Sequence, residues 1–417
     1  MKHFGILCPP SPGHLNPMAS LGYELQRRGH RVTLIGLLDT QPYATAAKID
    51  FCPIGPDKFP LGSTKESLDR LGKLSGIPAL LYTIDLFRQG TKALLGEVPR
   101  SCREIGIEVL LIDQVLFEGS TIAEYLNIPF ITICNAIIVN PEPAVPPALT
   151  GWDYDPSWLG QLRNQIGSGL LQLAATPIRA IVEEYRQKWN LPVIDTSNKL
   201  NLWSKLAIIS QQSPSFEFPR QELPDYFHFT GALINPLSRV DVPFPWEKLT
   251  DKPLIYASLG TLQNKLFNIF IQIAYACQYL NVQLVISLGG ASEPEELGYL
   301  PGSPIVVKVA PQLSLLERAR LCITHAGMNT TLESLKNGVP MVAIPITNDQ
   351  PGVAARIAWT KTGEVVPLNQ CNVDNLATAI QKVLTQPYYR QNAQKFQAEM
   401  VQAGGVGKAA EIIESVI

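Results

Sequence analysis

The first 36 residues confine the chain to few folds. Residues 4–8 (FGILC) and 32–36 (VTLIG) are short apolar runs. Between them Met18, Leu21 and Leu25 recur at helical spacing. Pro17 suits the first turn of a helix, and Gly29 stands where a helix stops. Two strands separated by one helix pair in parallel through a crossover, which is the unit of an α/β fold. The pattern recurs, with strands expected over 109–112, 130–134 and 206–209 and a helix over 119–126. It then restarts. Strands are expected over 254–258, 283–287, 321–324 and 341–344, and helices over 268–279, 313–319 and 329–337.

Two α/β blocks are therefore expected. A single core stops growing well below 417 residues. Between the blocks, residues 214–253 hold seven prolines in 40 positions with little periodicity. Proline fixes φ and removes a donor, so this region is expected to carry no element. The organisation predicted is an N-terminal domain over 1–234, a linker over 235–252, a second domain over 253–388 and a helical segment over 389–417. The expected fold class is α/β, with two doubly wound, Rossmann-like domains facing each other across a cleft. Such sheets bind ligands at the carboxyl ends of their strands.

Composition narrows the function. With 34 basic and 36 acidic residues the net charge is -2, which argues against nucleic acid or an anionic membrane as partner. The 46% apolar content excludes disorder. Only 17% of residues are charged, against roughly 25% in ordinary chains. The deficit is deepest over 125–178, where Glu142, Asp153, Asp155 and Arg163 are the only charges. With Trp152 and Trp158, this stretch reads as the wall of an apolar site. The spacing over 158–173 also suits peripheral contact with a membrane surface. No apolar run reaches the length of a membrane span, and the N-terminal run is short for a signal peptide. Seven scattered cysteines without a CxxC read as reduced thiols in a cytoplasmic protein.

Five constellations carry chemistry. The proline-rich stretch 9–17 follows the first strand and contains His14, a residue able to act as a base near neutral pH. Asp113 follows an apolar run at another strand end and could hold one imidazole nitrogen. The run THAGMNTTLE over 324–333 places a small-residue turn at a helix start, which is a phosphate site in waiting. His325, Asn329 and Thr330 add polar side chains, Gly327 allows close approach, and Glu333 could accept from a ribose diol. Gly260 and Thr261 form a second small turn after the strand at 254–258. Asp349 and Gln350 could clamp vicinal hydroxyls. A DxD at Asp153 and Asp155 has the spacing of a metal-holding motif but follows no strand, so no metal is expected. Neither GxGxxG nor a Walker motif is present.

These residues resemble the glycosyltransferases that move a sugar from a nucleotide diphosphate to small lipophilic acceptors. That superfamily includes UDP-glucuronosyl- and UDP-glucosyltransferases, and its plant, macrolide and carotenoid members share the GT-B fold. The likeness spans nearly the whole chain. It is strongest at 13–17 (GHLNP) with 28–33, and over 310–350, where APQ, HAGxN, Glu333, GVPMV and the Asp349–Gln350 pair occur in order. Residues 324–367 look most like the bacterial zeaxanthin glucosyltransferases.

The resemblance implies that His14 is the general base, oriented by Asp113. It implies that Gly260, Thr261, His325, Gly327, Asn329 and Thr330 surround the diphosphate and that Gln312 and Glu333 hold the ribose. Asp349 and Gln350 would take the sugar hydroxyls. Val309 and Met328 stand where plant relatives have tryptophans, and Val309, Ala310 and Met328 are expected among the donor-binding residues. Pro12, Gly13, Phe117, Ile137, Trp152 and Trp158 are expected to contact the acceptor. The implied reaction is inverting and metal-independent, with a UDP-sugar, UDP-glucose first, as donor substrate and no bound cofactor. Expected partners are this donor and a hydroxylated lipophile, in a monomer or weak dimer. A UDP-sugar epimerase of the same fold, a transferase for another nucleotide sugar and a non-catalytic binder stay open as alternatives.

Overall fold

The computed structural model describes all residues except 72, 73, 75, 195–201, 261–265 and 291, with backbone alone at 76, 77, 79 and 80. Two parallel sheets organise it. The first has seven strands: β1 (His3–Leu7), β2 (Arg31–Gly36), β3 (Asp50–Pro53), β4 (Val109–Asp113), β5 (Phe130–Cys134), β6 (Ile208–Ser210) and β7 (Phe227–Phe229). Their spatial order is β3-β2-β1-β4-β5-β6-β7. The second has six: β8 (Leu254–Ser258), β9 (Gln283–Ser287), β10 (Ile305–Val307), β11 (Ala319–Thr324), β12 (Met341–Ala343) and β13 (Gly363–Val365), in the order β10-β9-β8-β11-β12-β13. Each order reverses once, between β1 and β4 and between β8 and β11, so each sheet has one switch point.

Burial on both faces explains why the strands read as continuous apolar runs. Ile6, Val109 and Ile131 face one side of the first sheet, while Leu7, Leu110 and Ile112 face the other. In β8, Ile255 and Ala257 pack on one side of the second sheet, and Leu254 and Tyr256 on the other. The helices cover these faces: α1 (Pro12–Arg27), α2 (Gln41–Ala46), α3 (Ser63–Leu71), α4 (Gly76–Ile105), α5 (Glu118–Leu126), α6 (Trp158–Ala174) and α7 (Thr176–Lys188) in the first half. The second half holds α8 (Phe267–Cys277), α9 (Gln312–Leu316), α10 (Met328–Lys336), α11 (Gln350–Trp359), α12 (Val373–Thr385), α13 (Pro387–Ala403) and α14 (Gly405–Val416). Gly404 takes a left-handed φ of 84° and breaks the last two helices apart. Ala409, Ala410 and Ile413 of α14 then join the core beneath α1.

Several expectations are corrected. The first helix starts at Pro12, not Pro17. Ser11 is its extended cap residue and Pro12 fills the first helical position, where a missing N–H costs nothing. Pro17 lies inside the helix. The strand expected over 206–209 sits at Ile208–Ser210, and the helix expected over 313–319 is the shorter α9. The proline-rich stretch 214–253 contains a strand, β7, paired in parallel with β6. The halves also meet through a buried ion pair: Arg356 Nε donates to Glu217 Oε1 at 3.0 Å.

Candidate active site

The catalytic candidates flank the switch point of the first sheet. Leu7 ends β1, and His14 is the third residue of α1. Asp113 is the last residue of β4, the strand beside β1. His14 Nδ1 lies 2.6 Å from Asp113 Oδ2. A carboxylate only accepts, so Nδ1 carries a proton, and in the neutral ring Nε2 is the nitrogen that keeps its lone pair. Asp113 is fully buried and fixed on both oxygens. Asn135 Nδ2 donates to Oδ2 at 2.7 Å, and the Val115 N–H donates to Oδ1 at 3.1 Å. The His14 side chain remains 20% exposed, toward the cleft. Burial works against the imidazolium, but the charge and hydrogen bond of Asp113, with the more distant charge of Asp349, outweigh it. The His14 pKa therefore lies above its ordinary 6.5.

The switch point of the second sheet carries a different set. Strands β8 and β11 are adjacent there and lead into Gly260 and His325. Gly327 is the cap residue of α10, whose first N–H groups have no carbonyl within the helix to bond. The His325 ring fills the space between the two turns. A Cβ on Gly260 would stand 2.6 Å from its Nε2, and one on Gly327 would stand 2.4 Å away. Both glycines are therefore required by the ring. Burial pushes the His325 pKa down to about 4, so the ring meets a ligand neutral and not as a cation.

Deeper in, Gln312 joins three groups. Its Nε2 donates to Thr330 Oγ1 at 3.2 Å and to Glu333 Oε2 at 2.5 Å, and its Oε1 accepts from the Tyr256 hydroxyl at 3.0 Å. Glu333 is 1% exposed. Its other oxygen accepts from Arg239 Nη2 at 2.6 Å. Arg239 was not legible as a site residue, because it lies in the proline-rich connection, 94 positions from its partner.

Asn329 occupies an unexpected position. Its Nδ2 donates to the Gly13 carbonyl at 3.0 Å, and its Oδ1 accepts from Gln211 Nε2 at 3.0 Å. Its side chain thus ties the two halves together. At the start of α11, Gln350 Oε1 accepts from the N–H groups of Ile346 and Thr347, both at 2.9 Å, which leaves its amide NH₂ available. Burial raises the proton affinity of the neighbouring Asp349, opposed by the charge of His14 and by N–H groups that include that of Ile137.

One cavity of about 1340 Å³ runs between the halves. Single-ligand pockets measure roughly 300–1,000 Å³, so there is room for two substrates. Pro12, Gly13, His14 and Ile137 line it from the first half. Gly260, Val309, Ala310, Gln312, His325, Gly327, Met328, Asn329, Thr330, Glu333, Asp349 and Gln350 line it from the second. Asp113 stands behind His14, and Thr261 lies outside the described residues.

Phe117, Trp152 and Trp158 do not line this cavity. Phe117 caps α5 while its neighbours Leu116 and Glu118 face the cavity. Trp152 packs beneath α6 against Gly167 and Arg163. Trp158 is 72% exposed on the outside of that helix. The apolar wall comes largely from α3 and α4, through residues such as Leu68, Leu86, Phe87 and Leu94, and only partly from 125–178. Asp155 of the DxD turns the chain just before α6, accepting from the N–H of Ser157, the residue that caps that helix, at 2.9 Å. Among the described residues no group of three or more His, Cys, Asp or Glu is placed to hold a metal ion.

Known proteins share this fold. The family described as UDP-glucoronosyl and UDP-glucosyl transferase matches residues 83–398. A zeaxanthin glucosyltransferase from Pantoea ananas is 32% identical over 100% of this chain and 96% of its own. One from Pseudescherichia vulneris is 30% identical over 100% and 98%. The crystal structure of the glycosyltransferase of kitacinnamycin superposes with a TM-score of 0.76 at 23% identity, covering 100% of this chain and 99% of that one. Two Rossmann-like sheets, switch points that meet across a cleft and this match over most of the chain lead to one assignment: the chain belongs to the UDP-glucoronosyl and UDP-glucosyl transferase family and is a GT-B glycosyltransferase.

Proposed function

We propose that the chain transfers glucose from UDP-glucose to a hydroxyl of a lipophilic small molecule, with inversion and without a metal ion. One observation carries the reading. An imidazole with its Nδ1 held by a buried carboxylate shares a cavity with the open start of α10. In the proposed step His14 Nε2 takes the acceptor proton while the acceptor oxygen attacks the anomeric carbon. The bond from that carbon to the diphosphate oxygen breaks, and UDP leaves. General-base assistance of this kind contributes about 10²–10⁴-fold.

The leaving diphosphate sits at the α10 start, with Gly260, His325, Gly327 and Thr330 around it. The N-terminal end of a helix favours an anion by up to about 2 kcal/mol in a partly buried site. Gln312 and Glu333 take the ribose hydroxyls, Val309, Ala310 and Met328 the base side, and Asp349 and Gln350 the sugar. In this reading residues 1–234 hold the acceptor, 253–388 hold the donor and 235–252 join them. The relatives named for zeaxanthin support a carotenoid-like acceptor. The outer face of α6, with Trp158, Leu162, Ile166 and Leu170 exposed, suits a protein that gathers its acceptor at a lipid surface. No helix among the described residues is long and apolar enough to cross a membrane.

The test is an acceptor screen with UDP-glucose and mass detection, repeated with His14→Ala and with a chelator. The reading expects a mass gain of one hexose on hydroxylated lipophiles, near-complete loss in His14→Ala with UDP still bound, and no effect of chelation. Turnover retained in His14→Ala with an un-ionised acceptor would defeat the base assignment. Epimerised donor in the absence of acceptor would favour a UDP-sugar epimerase.

A further inference from the structure

Two carboxyl groups that line the cavity, Glu118 and Asp241, are used by neither the base nor the donor machinery; Asp241 is exposed, and Glu118 is buried. Glu118 opens α5, is 2% exposed and lines the same cavity as His14. Thr91 of α4 is also 2% exposed, lines the cavity and donates its hydroxyl to Glu118. Around them the wall is apolar, with Ile54, Leu86, Leu94 and Leu116. Among the described lining residues before 235, Glu118 is the only carboxyl group.

An acid in a helix's first turn is favoured by the dipole, and the Glu118 side chain takes its own N–H. That accounts for an acid at this position but not for its burial against an apolar wall, which is costly. Burial pushes the carboxyl up to about 7, against its own N–H and the Thr91 hydroxyl. Near neutrality it is therefore partly protonated, and in that form it donates as well as accepts.

Chain connectivity bounds its distance from the base. Five residues lead from Asp113 to Glu118, at most about 18 Å between Cα atoms when extended. The segment is coiled more tightly than that, because the Leu116 N–H bonds the Asp113 carbonyl and the Gly119 N–H bonds the Leu116 carbonyl. The Glu118 backbone therefore lies less than about 18 Å from that of Asp113, the residue that holds His14, and both His14 and Glu118 line the one cavity.

We propose that Glu118 and Thr91 form a second acceptor subsite, which binds a hydroxyl or carbonyl oxygen other than the one that reacts. The inference rests on the reading that this cavity holds a lipophilic acceptor beside His14. It narrows the substrate class to lipophiles with two oxygen functions on one ring system or one end group. Glu118 orients the molecule so that only one of the two reaches Nε2 of the base.

Equilibrium binding of 4,4′-dihydroxybiphenyl and 4-hydroxybiphenyl, followed by protein fluorescence without donor, tests it. The two probes share their apolar bulk and differ in one oxygen. The wild-type protein should bind the diol about tenfold more tightly, the contribution of one good hydrogen bond to an acidic group. Glu118→Leu should reduce that ratio to near one, Glu118→Gln should keep most of it, and Thr91→Val should lower it about threefold. A wild-type ratio near one, or a ratio unmoved by both Glu118→Leu and Thr91→Val, overturns the subsite. If neither probe binds the wild-type protein, the reading of a lipophilic acceptor cavity fails with it. If both bind equally, the subsite alone fails.

Discussion

The carbonyl of Gly13 accepts a hydrogen bond from Asn329 Nδ2 across the cleft, at 3.0 Å. The reason lies four residues further along α1. Pro17 has no N–H, so the helix cannot satisfy the Gly13 carbonyl, and a side chain from the other half takes the donor's place. A proline inside a helix thus becomes a docking point between the halves, one residue from His14.

This relationship predicts a coupling. Asn329→Ala should destabilise the protein by about 0.5–1.5 kcal/mol, the net worth of one such bond. In a Pro17→Ala background the new N–H can bond the Gly13 carbonyl, and the same change should cost measurably less. Denaturant unfolding of the four proteins in a double-mutant cycle checks this, and additive costs would count against the link.

The base should show itself in pH dependence. His14 must be unprotonated to act, and Asp113 holds its pKa above 6.5. Activity of the wild-type enzyme should therefore fall as pH drops through a value above 6.5. Asp113→Asn removes the charge that raises the pKa and leaves the burial that lowers it. The acid limb of kcat/KM should move to lower pH, and turnover should fall by about 10²–10⁴-fold as the favoured tautomer is lost. An acid limb that stays in place would contradict this account.

Gly327→Ala should impair nucleotide binding. The backbone there, at φ -66°, tolerates alanine, so the effect is steric. A Cβ 2.4 Å from His325 Nε2 forces the ring or the start of α10 to move. We expect UDP affinity to drop at least about tenfold by calorimetry, about 1.4 kcal/mol, with the fold intact by circular dichroism.

Arg239 and Glu333 form a pair whose carboxylate is almost fully buried. Arg239→Ala leaves that charge with Gln312 as its remaining partner and should cost about 1.5–3 kcal/mol of stability. With Glu333→Gln already in place there is no charge to strand, and the cost should shrink. Thermal unfolding of the single and double variants measures the difference.

Legibility in the sequence followed the source of each signal. β5, β8 and β9 were readable to the residue because a parallel strand covered on both faces is a continuous apolar run. The start of α1 was not, because prolines at 9, 10 and 12 suggest a loop, whereas Pro12 sits at the first helical position, where a missing N–H costs nothing. β7 escaped because three residues among prolines carry no period. The part played by α3 and α4 in the cavity escaped for another reason. An apolar helical face reads the same whether it meets a core or an empty cleft.

The sequence alone determined the α/β class, the order of most strands and the motifs at their carboxyl ends. These are local matters of periodicity and residue type. Only the tertiary structure decided which groups meet. It brought Asp113 to His14 by pairing β1 with β4, and Asn329 to Gly13 by closing the cleft. It also set Arg239 on Glu333 and turned Trp158 outward while Glu118 turned in. Contacts between residues about 100 or more positions apart depend on how the sheets twist and how the halves close, and no local pattern in the chain records that.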